Sequence, residues 1–181
     1  MSITSIKSST FNKAILQDLQ SGNNAKVKNA IKKLSSKGNA SIIDPLIEFY
    51  TSLNEEDSIR NEIKTVFSQL KSTKALPELI KNLTHSDNRV KELVLFSIWS
   101  SNLDAVDDIP AIVDCACKGD FMVALEALTL IENLEGPFNE QDLIESMISI
   151  NEYLSKEKDD KIDLIQSILQ TITKFEEQIQ I

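Results

Sequence analysis

Proline recurs in this chain at a spacing that a repeated structural unit explains. The segments Ile43-Asp44-Pro45-Leu46-Ile47, Leu76-Pro77-Glu78-Leu79-Ile80 and Ile109-Pro110-Ala111-Ile112-Val113 each set a proline just ahead of an aliphatic pair. The prolines lie 32 and 33 residues apart, and Asp142-Leu143-Ile144 extends the series by another 32. A period of this length is the mark of stacked supersecondary units, each too small to bury its own apolar face.

A second series interleaves with the first. Val27, Ile59, Val90, Val123 and Ile162, spaced by 32, 31, 33 and 39 residues, each open an apolar pattern at i, i+3 or i+4, and i+7 or i+8. The first four patterns read Val27, Ala30, Ile31, Leu34; Ile59, Ile63, Val66, Phe67, Leu70; Val90, Leu93, Val94, Ile98; and Val123, Ala127, Leu130, Ile131, Leu134. This is the period of an α-helix with one buried face. Only the last unit carries an insertion.

Local punctuation agrees. Gly22, Gly38, Gly119 and Gly136 fall where one helical pattern stops and the next begins, the place where glycine ends a helix at little cost. Asn24, Glu56, Asp87, Asp120 and Asp159 stand three residues before the opening positions, four of them good N-cap types. Ser41-Ile42-Ile43-Asp44 has the form of a capping box, and Pro45, Pro77 and Pro110 sit close enough to helix starts to be tolerated in a first turn. Ten helices in five pairs follow: 10–21 with 24–36, 41–53 with 56–71, 73–84 with 87–101, 105–118 with 120–135, and 139–155 with 159–178. Stacked side by side, such pairs make an all-α chain, a right-handed α-solenoid of about five antiparallel helix pairs over residues 10–181, preceded by a flexible tail at 1–9. Only four Gly, four Pro and 6% aromatic residues fit this better than a β-sandwich.

Asp87-Asn88-Arg89-Val90-Lys91, Glu56-Asp57-Ser58-Ile59-Arg60 and Asn24-Ala25-Lys26-Val27-Lys28 resemble the openings of HEAT-like repeats. In that family each unit is an antiparallel helix pair whose second helix often begins Asp-x-x-Val-Arg. The resemblance runs from about residue 24 to 135, and Ala124 departs from the basic position in the fourth unit. It implies a scaffold and is almost silent on activity.

Little in the chain suggests catalysis. His85 is the only histidine, which excludes paired imidazoles, His₂ or His₃ metal sites and the His-Glu dipeptides through which some HEAT-like enzymes bind iron. A phosphate-binding glycine loop is absent, and the acidic pairs Asp107-Asp108 and Asp159-Asp160 lack calcium-loop spacing. Cys115 and Cys117 lie two apart on a helix and so point about 200° away from one another, as buried thiols rather than a disulfide. No enzyme activity, metal or cofactor is expected. Without an apolar run of membrane-spanning length or a basic-then-apolar leader, the chain reads as cytoplasmic.

The formal charge of −9 is uneven. Residues 1–98 carry 14 basic against 10 acidic side chains, and residues 99–181 carry 5 against 18. Columns of equivalent positions on successive second helices read Lys28, Arg60, Lys91, Ala124 and, four residues further along each helix, Lys32, Lys64, Leu95, Leu128. They predict one face that starts basic and turns apolar; Phe96, Trp99, Met122 and Leu125 leave the second helices of the third and fourth pairs apolar nearly all round, either as central helices buried on more than one side or as an exposed apolar patch that marks a binding surface. A protein or peptide with acidic and apolar residues is the expected partner, met by Lys28, Lys32, Arg60, Lys64, Lys91, Leu95, Phe96, Trp99, Leu125 and Leu128. The alternatives are a nucleic-acid-binding or base-excising HEAT-like protein, which the acidic total opposes, and weak self-association of the acidic end of one copy with the basic end of the next. No membrane contact is expected.

Overall fold

The computed structural model describes residues 14–15, 17–19, 21, 23–35, 40–54, 57–70, 72 and 74–179. The predicted tail at 1–9, Gly22, Gly38 and Glu56 lie outside the described residues. Residues 14–15 and 17–19 are helical. The helices that follow are α1 (Asn24–Ser35), α2 (Ile43–Ser52), α3 (Ile59–Phe67), α4 (Ala75–Lys81), α5 (Asn88–Ser100), α6 (Ile109–Lys118), α7 (Phe121–Glu132), α8 (Glu140–Lys156) and α9 (Ile162–Ile179). Short 3₁₀ turns lead into α2 (Ala40–Ile42) and α6 (Val106–Asp108) and continue α4 (Asn82–Thr84). Among the described residues there is no strand, and no helix is long and apolar enough to cross a membrane.

The helix starts show which caps the sequence places correctly. Asp87 accepts from the N–H of Arg89 and Asp120 from that of Val123, each satisfying an amide that the helix itself leaves unpaired. At two other starts a residue next to the expected cap accepts: Asn23 receives the N–H groups of Ala25 and Lys26, and Asp57 receives that of Ile59. Ser41 lies inside the 3₁₀ turn that leads into α2, and Asp44 accepts from Lys81 Nζ at 2.9 Å and Asn82 Nδ2 at 3.2 Å, tying α2 to the end of α4.

Two rows of helices pack against each other. In one row α1, α3, α5, α7 and α9 each touch the next; in the other, α2, α4 with its 3₁₀ continuation, α6 and α8 do the same. The pairs α2–α3, α4–α5, α6–α7 and α8–α9 join the rows. Every position of the four apolar stripes from Val27 to Leu134 is buried. These stripes, together with Ile43, Leu46, Leu79, Ile112, Leu143, Ile165 and Ile168, form one core between the rows. The last stripe differs from its expected register: Ile162 is half-buried, and the buried positions run Lys161, Ile165, Ile168, Ile172, Phe175.

Candidate functional site

Along the α1–α3–α5–α7 row, each helix hands a hydrogen bond to a carboxylate on the next. Lys28 Nζ lies 2.8 Å from Glu62 Oε1, Lys64 Nζ 2.8 Å from Glu92 Oε1, and Trp99 Nε1 2.8 Å from Glu126 Oε2. The donors stand on α1, α3 and α5 and the acceptors on α3, α5 and α7. The hydrogen bond and charge of Glu62 raise the Lys28 pKa. For Lys64 burial works against the charge, but the hydrogen bond and charge of Glu92 outweigh it, and its pKa is also raised.

This ladder changes the reading of the basic face. Lys28 and Lys32 are exposed and flank a groove of about 380 Å³ between α1 and α3, with Glu62 also lining it. Lys64 is half-buried and engaged with Glu92. Arg60 and Lys91 are buried, at 7% and 8% exposure, so neither presents its charge to a partner. The Arg60 guanidinium sits 4.4 Å from the centre of the Tyr50 ring and donates to the Tyr50 carbonyl at 3.4 Å. Lys91 Nζ donates to Asn88 Oδ1 at 3.1 Å. Leu95 is fully buried and belongs to the core. The column containing Arg60 and Lys91 flanks the buried stripe by one residue, about 100° around the helix. In a row with a neighbour on each side, that angle points into packed structure rather than into water.

The apolar end of the face is half open. Phe96, Trp99, Leu125 and Leu128 are half-buried, and Met122 is 45% exposed. Phe96 and Trp99 meet edge to face with ring centres 5.4 Å apart, an arrangement the ring quadrupoles favour. Lys64 Nζ lies 5.9 Å from the Phe96 ring centre. Basic and apolar parts are therefore joined at α3–α5, with Glu92 and Glu126 between them.

A buried lysine was not evident from the sequence. Lys161 is 4% exposed, and its Nζ donates to the carbonyls of Ala116 at 3.0 Å, Cys117 at 2.8 Å and Gly119. Burial lowers its pKa. With three protons directed at three carbonyls, the ammonium closes the C-terminal end of α6 rather than offering a nucleophile. Tyr153 lies beside it, the ring centre 5.0 Å from Nζ, and donates its hydroxyl proton to Asp159. Gly119 is required here because a Cβ would collide with the Val123 side chain. Burial pushes the neighbouring thiols up, Cys115 to about 12 and Cys117 to about 11. Among the described residues no group of three or more His, Cys, Asp or Glu is placed to hold a metal ion.

Compared with protein-family models and with curated proteins, the chain matches none of them.

Proposed function

We propose that the chain is a right-handed α-solenoid of HEAT-like helix pairs that holds a protein or peptide partner on the outer face of its second helices, without catalysis. The two-row helix contacts and the repeat of about 32 residues support the architecture. The observation that carries the binding reading is the cluster of Phe96, Trp99, Leu125 and Met122 left half-open on adjacent helices, since apolar groups grouped on a surface gain by being covered. The ladder argues against nucleic acid as the partner. Lys28 and Lys64 are held by carboxylates and Arg60 and Lys91 are buried, so of the five basic column residues only Lys32 is left to meet a phosphate backbone without giving up a carboxylate partner or burial.

The test is affinity isolation with the intact chain beside Met122→Glu and Leu125→Gln, after thermal melts confirm that both variants are folded. A partner kept by the intact chain and lost by both variants supports the proposal. Retention of the same set by all three overturns it.

A further inference from the structure

A cleft of about 620 Å³ opens where α5 and α7 end beside one another. Trp99 forms one wall, Asn102 and Asn133 contribute amides, and Asp104 and Glu135 contribute carboxylates. No lysine or arginine lines it. The two helix C-termini add partial negative charge, and Trp99 among the lining residues is a side-chain type that attracts cations. Asp104 Oδ1 accepts the Val106 N–H at 3.2 Å, and Glu135 is exposed; no ion pair recorded among the described residues involves either carboxylate.

Trp99 joins this cleft to the apolar patch. Its N–H reaches Glu126 and its ring meets Phe96, while the same residue lines the cleft. Phe96 and Leu125 stand on α5 and α7, the two helices whose C-terminal ends border the cleft. The lining is unsuited to an anion. A hard divalent cation prefers six or more oxygen ligands, and no acidic cluster of metal-binding size occurs among the described residues. A guanidinium suits these surroundings: it is planar, stacks on indole and donates to more than one oxygen.

We infer that the cleft takes an arginine side chain of the partner peptide, with the guanidinium against Trp99 between Asp104 and Glu135. This rests on the interaction reading above and adds the partner's charge: a basic residue next to an apolar run, not the acidic segment that the lysine columns imply.

The chain's single tryptophan is Trp99, so tryptophan fluorescence reports on binding at the cleft or on the patch beside it, and the variants tell the two apart. The probes are acetyl-Leu-Leu-Arg-Leu-amide and its citrulline counterpart, which keeps the shape and loses the charge, titrated into the full chain and into Asp104→Asn/Glu135→Gln. The expected result is a saturable change with the arginine peptide in the millimolar range of short ligands, weakened about tenfold by citrulline or by the double substitution. Equal affinity for both peptides, unaffected by the double substitution but lost in Met122→Glu, overturns the arginine site and leaves the apolar-face reading standing. Absence of any saturable change with the arginine peptide also overturns it, while the affinity isolation with Met122→Glu and Leu125→Gln still decides the broader reading independently.

Discussion

The indole N–H of Trp99 on α5 donates to Glu126 on α7 across 2.8 Å. On α5 it is the donor to the next helix, as Lys28 is on α1 and Lys64 on α3. A tryptophan at this place is neither a core residue nor a free surface anchor. Its ring packs against the core from the edge, and its polar atom fixes the spacing of two neighbouring helices.

Truncating Trp99 therefore costs less than removing a fully buried tryptophan. We expect Trp99→Ala to lower stability by about 2 kcal/mol, below the ~3–5 kcal/mol of a core site, and Trp99→Phe by about 1 kcal/mol through the lost hydrogen bond. Urea unfolding followed by circular dichroism measures both. A loss for Trp99→Ala equal to that of a fully buried residue would place the ring in the core.

Lys161 should matter more than any exposed lysine. Lys161→Met keeps the stem and strips three carbonyls of their donor, and should destabilise by about 3 kcal/mol. Lys161→Arg should not restore stability, because a planar fork does not direct three protons at three carbonyls grouped around one nitrogen. Thermal melts of the two variants check this, and full stability in either one contradicts the assignment.

The apolar stripes from Val27 to Leu134 were legible in the sequence because burial of one helical face leaves a periodic trace in residue type. The orientation of the polar columns was not. Lys28, Arg60 and Lys91 share a repeat position, yet Lys28 is exposed on the first described helix of the row while Arg60 and Lys91 are buried on helices with neighbours on both sides. The charge alone gives no sign of that difference. Leu95 and Leu128 likewise share a column but differ in burial. Lys161 was illegible for another reason: its partners are backbone carbonyls 42 to 45 residues earlier, and carbonyls have no residue type to read. The carboxylates Glu62, Glu92 and Glu126 carried a weak signal, a repeat of acidic positions 30 and 34 residues apart, visible only once the lysines are seen to need partners.

Acid should remove stability at Asp87. The Arg89 side chain, hydrogen-bonded to it, holds the Asp87 carboxyl below its usual range. A carboxyl with a lowered folded pKa contributes stability above the unfolded value of about 4, and that contribution is lost as pH falls through the folded value. Asp87→Asn keeps an acceptor for the Arg89 N–H but loses the ion pair. At pH 7 we expect it to be less stable by up to about 1 kcal/mol, and the difference from the intact chain should shrink steadily below about pH 4. A difference that does not change with pH would remove the ion pair as its cause.

The thiols should be inert in the folded chain. With Cys115 at about 12 and Cys117 at about 11, almost no thiolate exists at pH 8. Iodoacetamide should label neither residue in the native chain and both after unfolding, as mass spectrometry would show. Since the folded state disfavours the thiolates, stability should fall as pH rises above the ordinary thiol range. Rapid native labelling would contradict the burial of these groups.

If the ladder keeps the lysines from other ligands, releasing them should create an affinity the chain otherwise lacks. Glu62→Gln with Glu92→Gln leaves Lys28 and Lys64 without their carboxylates and raises the formal charge from −9 by two. Lys32 is already exposed, so the three column lysines Lys28, Lys32 and Lys64 would then join the exposed Lys26 and Lys33 at the α1–α3 end, far in sequence from most of the acidic half. Arg60 and Lys91 would contribute nothing, being buried. With two or three phosphates neutralised, binding to single-stranded DNA should be weak and should fall with salt on a log–log slope of about −2. Fluorescence anisotropy of a labelled oligonucleotide over a salt series measures that slope for the intact chain and the double variant. Binding by the variant alone, abolished near physiological salt, is the expected outcome. Equal, salt-sensitive binding by the intact chain would mean that the carboxylates do not hold these lysines in solution, and would return nucleic acid to the candidate partners.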